Sequence, residues 1–208
     1  MAIQDIFTAV MDFDEEGVPA LVRKEIDAGS DVQAVLNDGL IAAMDEVGKR
    51  FSEGELFVPE MLMAAQAMKA GLEVIRPLLA DTDAKPKGTL VIGTVKGDLH
   101  DIGKNLVSMM LEGAGFQVID LGVDVETDTF LAAAAEHKAD IVCMSALLTT
   151  TMPAMEATVK TIAEKGLQLK TMVGGAPVTD AFAKKIGATG YSEDAPGAVE
   201  LARRLLAA

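Results

Sequence analysis

Ile141-Val142-Cys143-Met144 has no polar face. A short run that is apolar at every position is a strand covered on both sides, because a strand with one wet face would alternate. Similar runs recur through the second half of the chain, separated by segments of helical spacing. The candidate strands are 89–95, 117–121, 140–146, 170–174 and 188–191. Helices are expected near 103–114, 126–137, 152–165 and 178–186, with a last one at 196–207. Doubly covered strands joined through helices run parallel. This half is therefore expected to be a doubly wound α/β domain around a five-stranded parallel sheet.

The first eighty residues follow a different period. Ile3, Ile6, Phe7 and Val10 form one helical stripe, and a second helix from near Asp14 presents Val18, Leu21, Val22 and Ile26 before Gly29. Glu15 and Glu16 fall in that second helix's expected first turn. Ser30 or Asp31 can cap a longer third helix with the stripe Val32, Val35, Leu36, Leu40, Met44, Val47 and Phe51, ended by Gly54. A fourth opens at Pro59 and runs through Met61, Leu62, Ala65, Met68, Leu72 and Ile75, and Pro77 disrupts or ends it. Four amphipathic helices with short connections make an all-α four-helix bundle. Asp81 to Gly88 carries Pro and Gly and no apolar residue larger than Ala, so it reads as linker. The expected domains are a helical bundle over 1–83, a linker at 84–88, and a flavodoxin-like (Rossmann-like) domain over 89–208.

Composition excludes several function classes. A net charge of −14, with both halves acidic, repels nucleic-acid phosphates. No apolar run approaches the roughly 20 residues that span a bilayer, and no basic-then-apolar leader opens the chain. The lone Cys143 cannot pair internally, which suits a reducing compartment, and it reads as a small buried hydrophobe. A cytoplasmic location is expected.

Chemistry concentrates in Gly93-Thr94-Val95-Lys96-Gly97-Asp98-Leu99-His100-Asp101-Ile102-Gly103-Lys104-Asn105. This is a strand-to-helix loop, at the edge where open α/β sheets place ligands. His100 there is a candidate for metal ligation or acid–base work. Asp98, two residues earlier, can hold one ring nitrogen and leave the other as a donor toward a metal. His137, the other histidine, falls at an expected helix end and reads as solvated. The loop is a near miss for a phosphate-binding motif: five residues separate Gly97 from Gly103, Asn105 replaces the Ser or Thr, and Asp98 and Asp101 would repel phosphate.

Asp98-x-His100-x-x-Gly103, followed by Ser145-x-Leu147 and Gly174-Gly175, resembles the cobalamin-binding module of methionine synthase and the small corrinoid methyl-carrier proteins of anaerobic methyltransferase systems. The resemblance covers nearly the whole chain. An ordinary zinc site would need three or four protein ligands. One imidazole suffices where a corrin ring supplies four nitrogens to cobalt.

The resemblance implies that His100 displaces the cofactor's own benzimidazole from cobalt and that Asp98 hydrogen-bonds that histidine. Thr151 stands where methionine synthase continues the relay with a serine. The loop Gly97, Asp98, Leu99, His100, Asp101, Ile102 and Gly103 would face the corrin. Ser145, Ala146, Thr149, Gly174, Gly175 and Ala176 would line the path of the displaced nucleotide tail with Tyr191 at its far wall, and Leu147 and Thr150 would also contact the cofactor. The bundle is expected to cap the ring, with Phe57 and Leu62 nearest cobalt. Met61, Met63 and Met68 read as ordinary core packing.

The implied function is a methyl carrier, not autonomous in turnover. It would serve a substrate-specific methyltransferase and an acceptor methyltransferase, with a reductive activation protein to restore the cobalt. Methylamines, methanol, glycine betaine and methoxylated aromatics are the expected donor classes, with an O-demethylase or methylamine system favoured. A corrinoid-sensing regulator, or the cobalamin subunit of an adenosylcobalamin mutase, would use the same pocket. The regulator normally adds a DNA-binding or signalling domain, and the mutase subunit normally lacks such a cap.

Overall fold

The computed structural model describes residues 2–80 and 86–207. The expected linker residues 81–85 lie outside that set. Two compact units result, one of Met1–Pro86 with Glu112–Gly115 and one of Lys87–Leu111 with Phe116–Ala208.

In the first unit, α1 (Ala2–Met11) and α2 (Gly17–Asp27) are followed by α3 (Val32–Ala34), a π-helical stretch (Val35–Ile41), α4 (Ala42–Ser52) and α5 (Val58–Ala80). The third expected helix is thus one rod, capped by Asp31, whose carboxylate accepts from the Gln33 N–H at 3.2 Å. Its middle is π-helical, a departure from the simple stripe. The wider turn places Gly39 against Ile6, where an added Cβ would sit 3.2 Å from the Ile6 side chain. Glu15 and Glu16 lie before α2 rather than in its first turn, because Asp14 ties down the Gly17 N–H at 2.8 Å and the helix begins there.

Pro77 neither disrupts nor ends α5, which continues to Ala80. So close to the helix end, a proline removes one backbone bond and leaves few residues beyond it to displace. Met61 and Met68 are buried, but Met63 is exposed. It sits two positions after Met61, which turns it about 200° away from the packed stripe. Gly71 lets α5 approach α2 and the π-helical stretch: a Cβ there would lie 2.7 Å from Val18 and 2.9 Å from Leu40.

The second unit alternates as expected: β1 (Thr89–Thr94), α6 (Ile102–Gly113), β2 (Gln117–Asp120), α7 (Thr127–Glu136), β3 (Ile141–Ser145), α8 (Met152–Glu164), β4 (Lys170–Gly174), α9 (Asp180–Ile186), β5 (Gly190–Tyr191) and α10 (Ala195–Ala207). The strands are all parallel in the order β2-β1-β3-β4-β5. Val91, Val142, Met144 and Val173 pack with Phe130, Met155, Val159 and Ile162 of α7 and α8 in one core. Leu90, Ile92, Cys143 and Met172, on the alternate positions, are buried as well, so both faces are covered. The chain order reverses between β1 and β3, which opens a crevice beyond their carboxyl ends. The Asp98–His100 loop leaves β1 at that point.

Candidate cofactor site at the sheet edge

Several backbone groups of the loop are tied down. Val95 N–H donates to the Ser145 carbonyl at 3.0 Å, and Asp98 N–H to the Val95 carbonyl at 3.1 Å. The buried Thr94 hydroxyl donates to the His100 carbonyl at 2.8 Å. Gly97 takes a φ of +83°, which a residue with a Cβ rarely adopts.

Asp98 is the hub. Its side chain has no exposed surface, and His100 Nδ1 stands 2.6 Å from its Oδ1. Oδ1 also accepts from the His100 N–H at 3.1 Å. Oδ2 accepts from the Leu147 N–H at 2.8 Å, the Leu148 N–H at 3.3 Å and the Thr151 hydroxyl at 2.8 Å. Burial pushes this carboxyl up, but bonds from the His100 ring, the Leu147 N–H, the Thr151 hydroxyl and the His100 N–H outweigh it. They hold Asp98 well below the usual carboxylate range. An ionised Asp98 accepts a hydrogen bond from Nδ1–H, which leaves Nε2 as the ring nitrogen that can ligate.

The His100 side chain is 51% exposed. Leu99 and Ile102 are exposed beside it in sequence, and Leu147 and Leu148, whose N–H groups meet Asp98, are exposed too. A polar protein surface would not normally set large aliphatic side chains in water around one imidazole; a ligand with a broad apolar face would cover them. Among the described residues no group of three or more His, Cys, Asp or Glu could hold a metal ion. A metal bound at His100 must therefore bring most of its own ligands.

The other expected residues fall on three loops of the same edge. Thr149 and Thr150 are exposed in the β3–α8 loop, ahead of buried Thr151. Ser145 ends β3, Gly174 ends β4, and Gly175 and Ala176 follow it. A Cβ on Gly175, at φ +121°, would come 1.9 Å from the Ala146 carbonyl oxygen. Two backbones thus meet where no side chain fits. Tyr191 is half-buried at the end of the two-residue β5. Burial first, then Glu193, Asp180 and Asp194, push its phenol up. Gly103 lies in the first turn of α6, where an added Cβ would meet open space. Asp101 is exposed at that helix start, and its carboxylate accepts from Asn105 Nδ2 at 3.2 Å. Phe57 is 67% exposed just before α5 and Leu62 is half-buried on it, both in the helical unit. His137 is exposed at the end of α7, and Cys143 is buried in β3.

The sequence reading missed Lys104 and Asp124. Lys104 is buried on α6 and pairs with Asp120 and Asn105. Asp124 lies behind the histidine loop, in Gly122-Val123-Asp124-Val125 after β2. A polar residue following a glycine at a strand's carboxyl end was the available signal.

Models of the B12 binding domain match residues 88–200 and, for a second such domain, residues 2–76. The chain belongs to the B12-binding family. Its cofactor is a cobalamin, and the exposed imidazole, its buried carboxylate and the side-chain-free approach at Gly175 fit that group. The corrinoid protein is 46% identical to trimethylamine corrinoid protein 1 of Methanosarcina acetivorans, over 95% of this chain and 94% of the relative. It is 41% identical to a corrinoid protein of Desulfitobacterium hafniense, over 98% of this chain and 97% of the relative. In structure it matches the methanol:cobalamin methyltransferase complex MtaBC from Methanosarcina barkeri with a TM-score of 0.89 and 34% identity, covering 99% of this chain and 80% of that one. A cobalamin-binding protein from Desulfitobacterium hafniense gives 0.81 and 30%, covering 98% of each. Among the described residues no helix is long and apolar enough to cross a membrane.

Proposed function

We propose that this corrinoid protein carries a methyl group between a substrate-specific methyltransferase and an acceptor methyltransferase, with its cobalamin base-off and His100 as the axial ligand. The observation that carries the reading is the His100–Asp98 pair: Nδ1 is held at 2.6 Å by a fully buried carboxylate while half of the ring stays exposed. When bound, cobalamin supplies a cobalt centre that can accept and release a methyl group. The protein's part is to present Nε2, to set its basicity through Asp98, and to exclude water with Leu99, Ile102, Leu147 and Leu148. Thr151 and the Leu147 N–H keep Asp98 ionised, so it can hold the ring by Nδ1–H and leave Nε2 facing the cofactor.

The crevice lined by Ser145, Gly174, Gly175 and Tyr191 takes the nucleotide tail. The helical unit is taken as 1–83, joined at 84–88 to the cofactor domain at 89–208, and Phe57 and Leu62 are its candidate cofactor contacts. Relatives named for trimethylamine and dimethylamine, at 46% and 44% identity, support a methylamine-type donor system. A reductive activation protein is a third partner in this reading.

The test is paramagnetic resonance of protein reconstituted with hydroxocobalamin and partly reduced, grown with ¹⁵N-histidine. Splitting that changes from three lines to two on labelling, and is lost in His100→Ala, is the expected result. Splitting unchanged by the label and by the substitution would rule out His100 as ligand.

A further inference from the structure

Asp124 of the β2–α7 loop reaches under the histidine loop. Asp124 Oδ1 accepts from the Gly97 N–H at 2.8 Å, while the Asp124 N–H donates to the Asp98 carbonyl at 3.0 Å. One residue therefore brackets the Gly97–Asp98 dipeptide from both ends. To do so Asp124 adopts φ +55°, the left-handed region that a side chain normally avoids and that Asp and Asn tolerate best. Backbone held in a sparse region persists only where its surroundings over-determine it. Here Val95 and Val125 bridge as in a parallel ladder, Val125 N–H donates to the Thr94 carbonyl, and Thr94 N–H to the Gly122 carbonyl. Lys96 Nζ sits 3.4 Å from Asp124 Oδ1 and 2.9 Å from Glu126 Oε1, which offsets the carboxylate's charge.

We infer that Asp124 is a positioning residue: by fixing the Gly97–Asp98 dipeptide it aims the Asp98 carboxylate, and through it the His100 ring, before any cofactor arrives. It makes no hydrogen bond to His100 itself. The five hydrogen bonds onto the Asp98 carboxylate come from His100, the Leu147 and Leu148 N–H groups and Thr151, so the side chain can meet all of them only with its own backbone held in place. A preset ligand loses less freedom on binding, so its grip on cobalt is tighter. The inference rests on the reading of His100 as axial ligand.

The experiment compares Asp124→Gly with Asp124→Asn. Glycine keeps the left-handed backbone and the N–H to Asp98, and removes only the carboxylate. Asparagine keeps an acceptor for the Gly97 N–H and tolerates the same φ. In protein without cofactor, amide exchange at Gly97 and the ¹⁵N shifts of the His100 ring are measured; in reconstituted protein, the ratio of histidine-ligated to unligated cobalt. Asp124→Gly should raise Gly97 exchange about tenfold, turn the single-tautomer ring signature into a mixture, and lower the ligation ratio about tenfold. Asp124→Asn should restore all three to within about twofold. A wild-type ring signature in Asp124→Gly despite faster Gly97 exchange overturns the inference, as does an Asp124→Asn protein as impaired as Asp124→Gly. Failure of the ligation reading itself would show separately, as splitting that survives in His100→Ala, and the ring shifts of the cofactor-free protein would still decide the role of Asp124.

Discussion

The Thr151 hydroxyl stands 2.8 Å from Asp98 Oδ2 and 2.9 Å from the Leu148 carbonyl oxygen, so one proton faces two acceptors. The charged acceptor wins it, because hydrogen bonds to ionised oxygens are about twice as strong as neutral ones. Thr151→Val removes that donor at nearly constant volume and leaves a buried carboxylate short of one bond. It should lower stability by about 1–3 kcal/mol in urea unfolding at neutral pH. Thr151→Ser keeps the proton and should lose about 1 kcal/mol or less, from the missing methyl. Equal losses in the two variants would mean that the methyl, not the proton, matters here.

Asp98 links the site to pH. Its carboxyl is held low in the folded protein, by the bonds from the His100 ring, Leu147, Thr151 and the His100 backbone against the opposing effect of burial. A depressed folded value contributes stability that is complete above the unfolded value of about 4 and is lost as pH falls through the folded one. Asp98→Asn puts amide hydrogens where N–H and O–H donors already converge, and should lose about 2–3 kcal/mol near pH 7. The gap between wild type and variant should narrow progressively as pH falls below about 4. Urea midpoints across pH 3–8 measure it. A gap that widens on acidification would reverse the sign and refute the account.

Lys104 and Asp120 form a pair of unequal exposure, with side chains 1% and 40% accessible. The two deletions should therefore differ. Lys104→Met keeps the packed stem and leaves a carboxylate that water can reach, a loss of about 1 kcal/mol. Asp120→Ala strands a buried ammonium, with Asn105 Oδ1 at 2.6 Å as its remaining partner, and should lose about 3 kcal/mol. Thermal and urea unfolding of both variants check the order.

The parts of this protein legible in its sequence are those that depend on neighbours along the chain. Ile141 to Met144 announced a doubly covered strand because every residue is apolar, and the Asp98–His100 pair was legible because a two-residue spacing lets one turn join them. The π-helical stretch was not, since the stripe Val35, Leu40, Met44 reads equally well as plain α-helix; the wider turn answers to Ile6 on another helix. The role of Asp124 was not legible for the same reason, although its place after a glycine at a strand end hinted at a turn. Its left-handed backbone and both of its bonds are set by residues 26 and 27 positions earlier. Lys104 looked like part of a failed phosphate motif, because only the fold buries it against Asp120.

Gly175 offers a test that separates binding from folding. An added methyl would press on the Ala146 carbonyl oxygen and force the β3–α8 and β4–α9 loops apart at the crevice. Gly175→Ala should weaken cobalamin binding about tenfold or more. Gly187 is the control: it too has a positive φ, +77°, but an added Cβ would meet nothing within 4 Å. Gly187→Ala should lose about 1 kcal/mol of stability and leave affinity unchanged. Spectroscopic titration with hydroxocobalamin beside urea unfolding distinguishes the two, and equal affinities in both variants would remove Gly175 from the tail path.

Cys143 reports on the same sheet from within. It is buried in β3, and burial pushes its thiol up to about 12. At pH 8 it is neither ionised nor reachable, so a thiol reagent can label it only when the strand opens. Labelling of native protein should run at least roughly 10³-fold slower than in denaturant, as expected for a core strand that opens only with global unfolding. Because opening governs the rate, Asp120→Ala, which strands Lys104 on the neighbouring helix, should speed labelling by a factor matching its loss of stability. Thr151→Val should do the same in proportion. Prompt labelling of the native protein at pH 8 would show that β3 opens locally, and would leave the stabilities above unable to predict the rate.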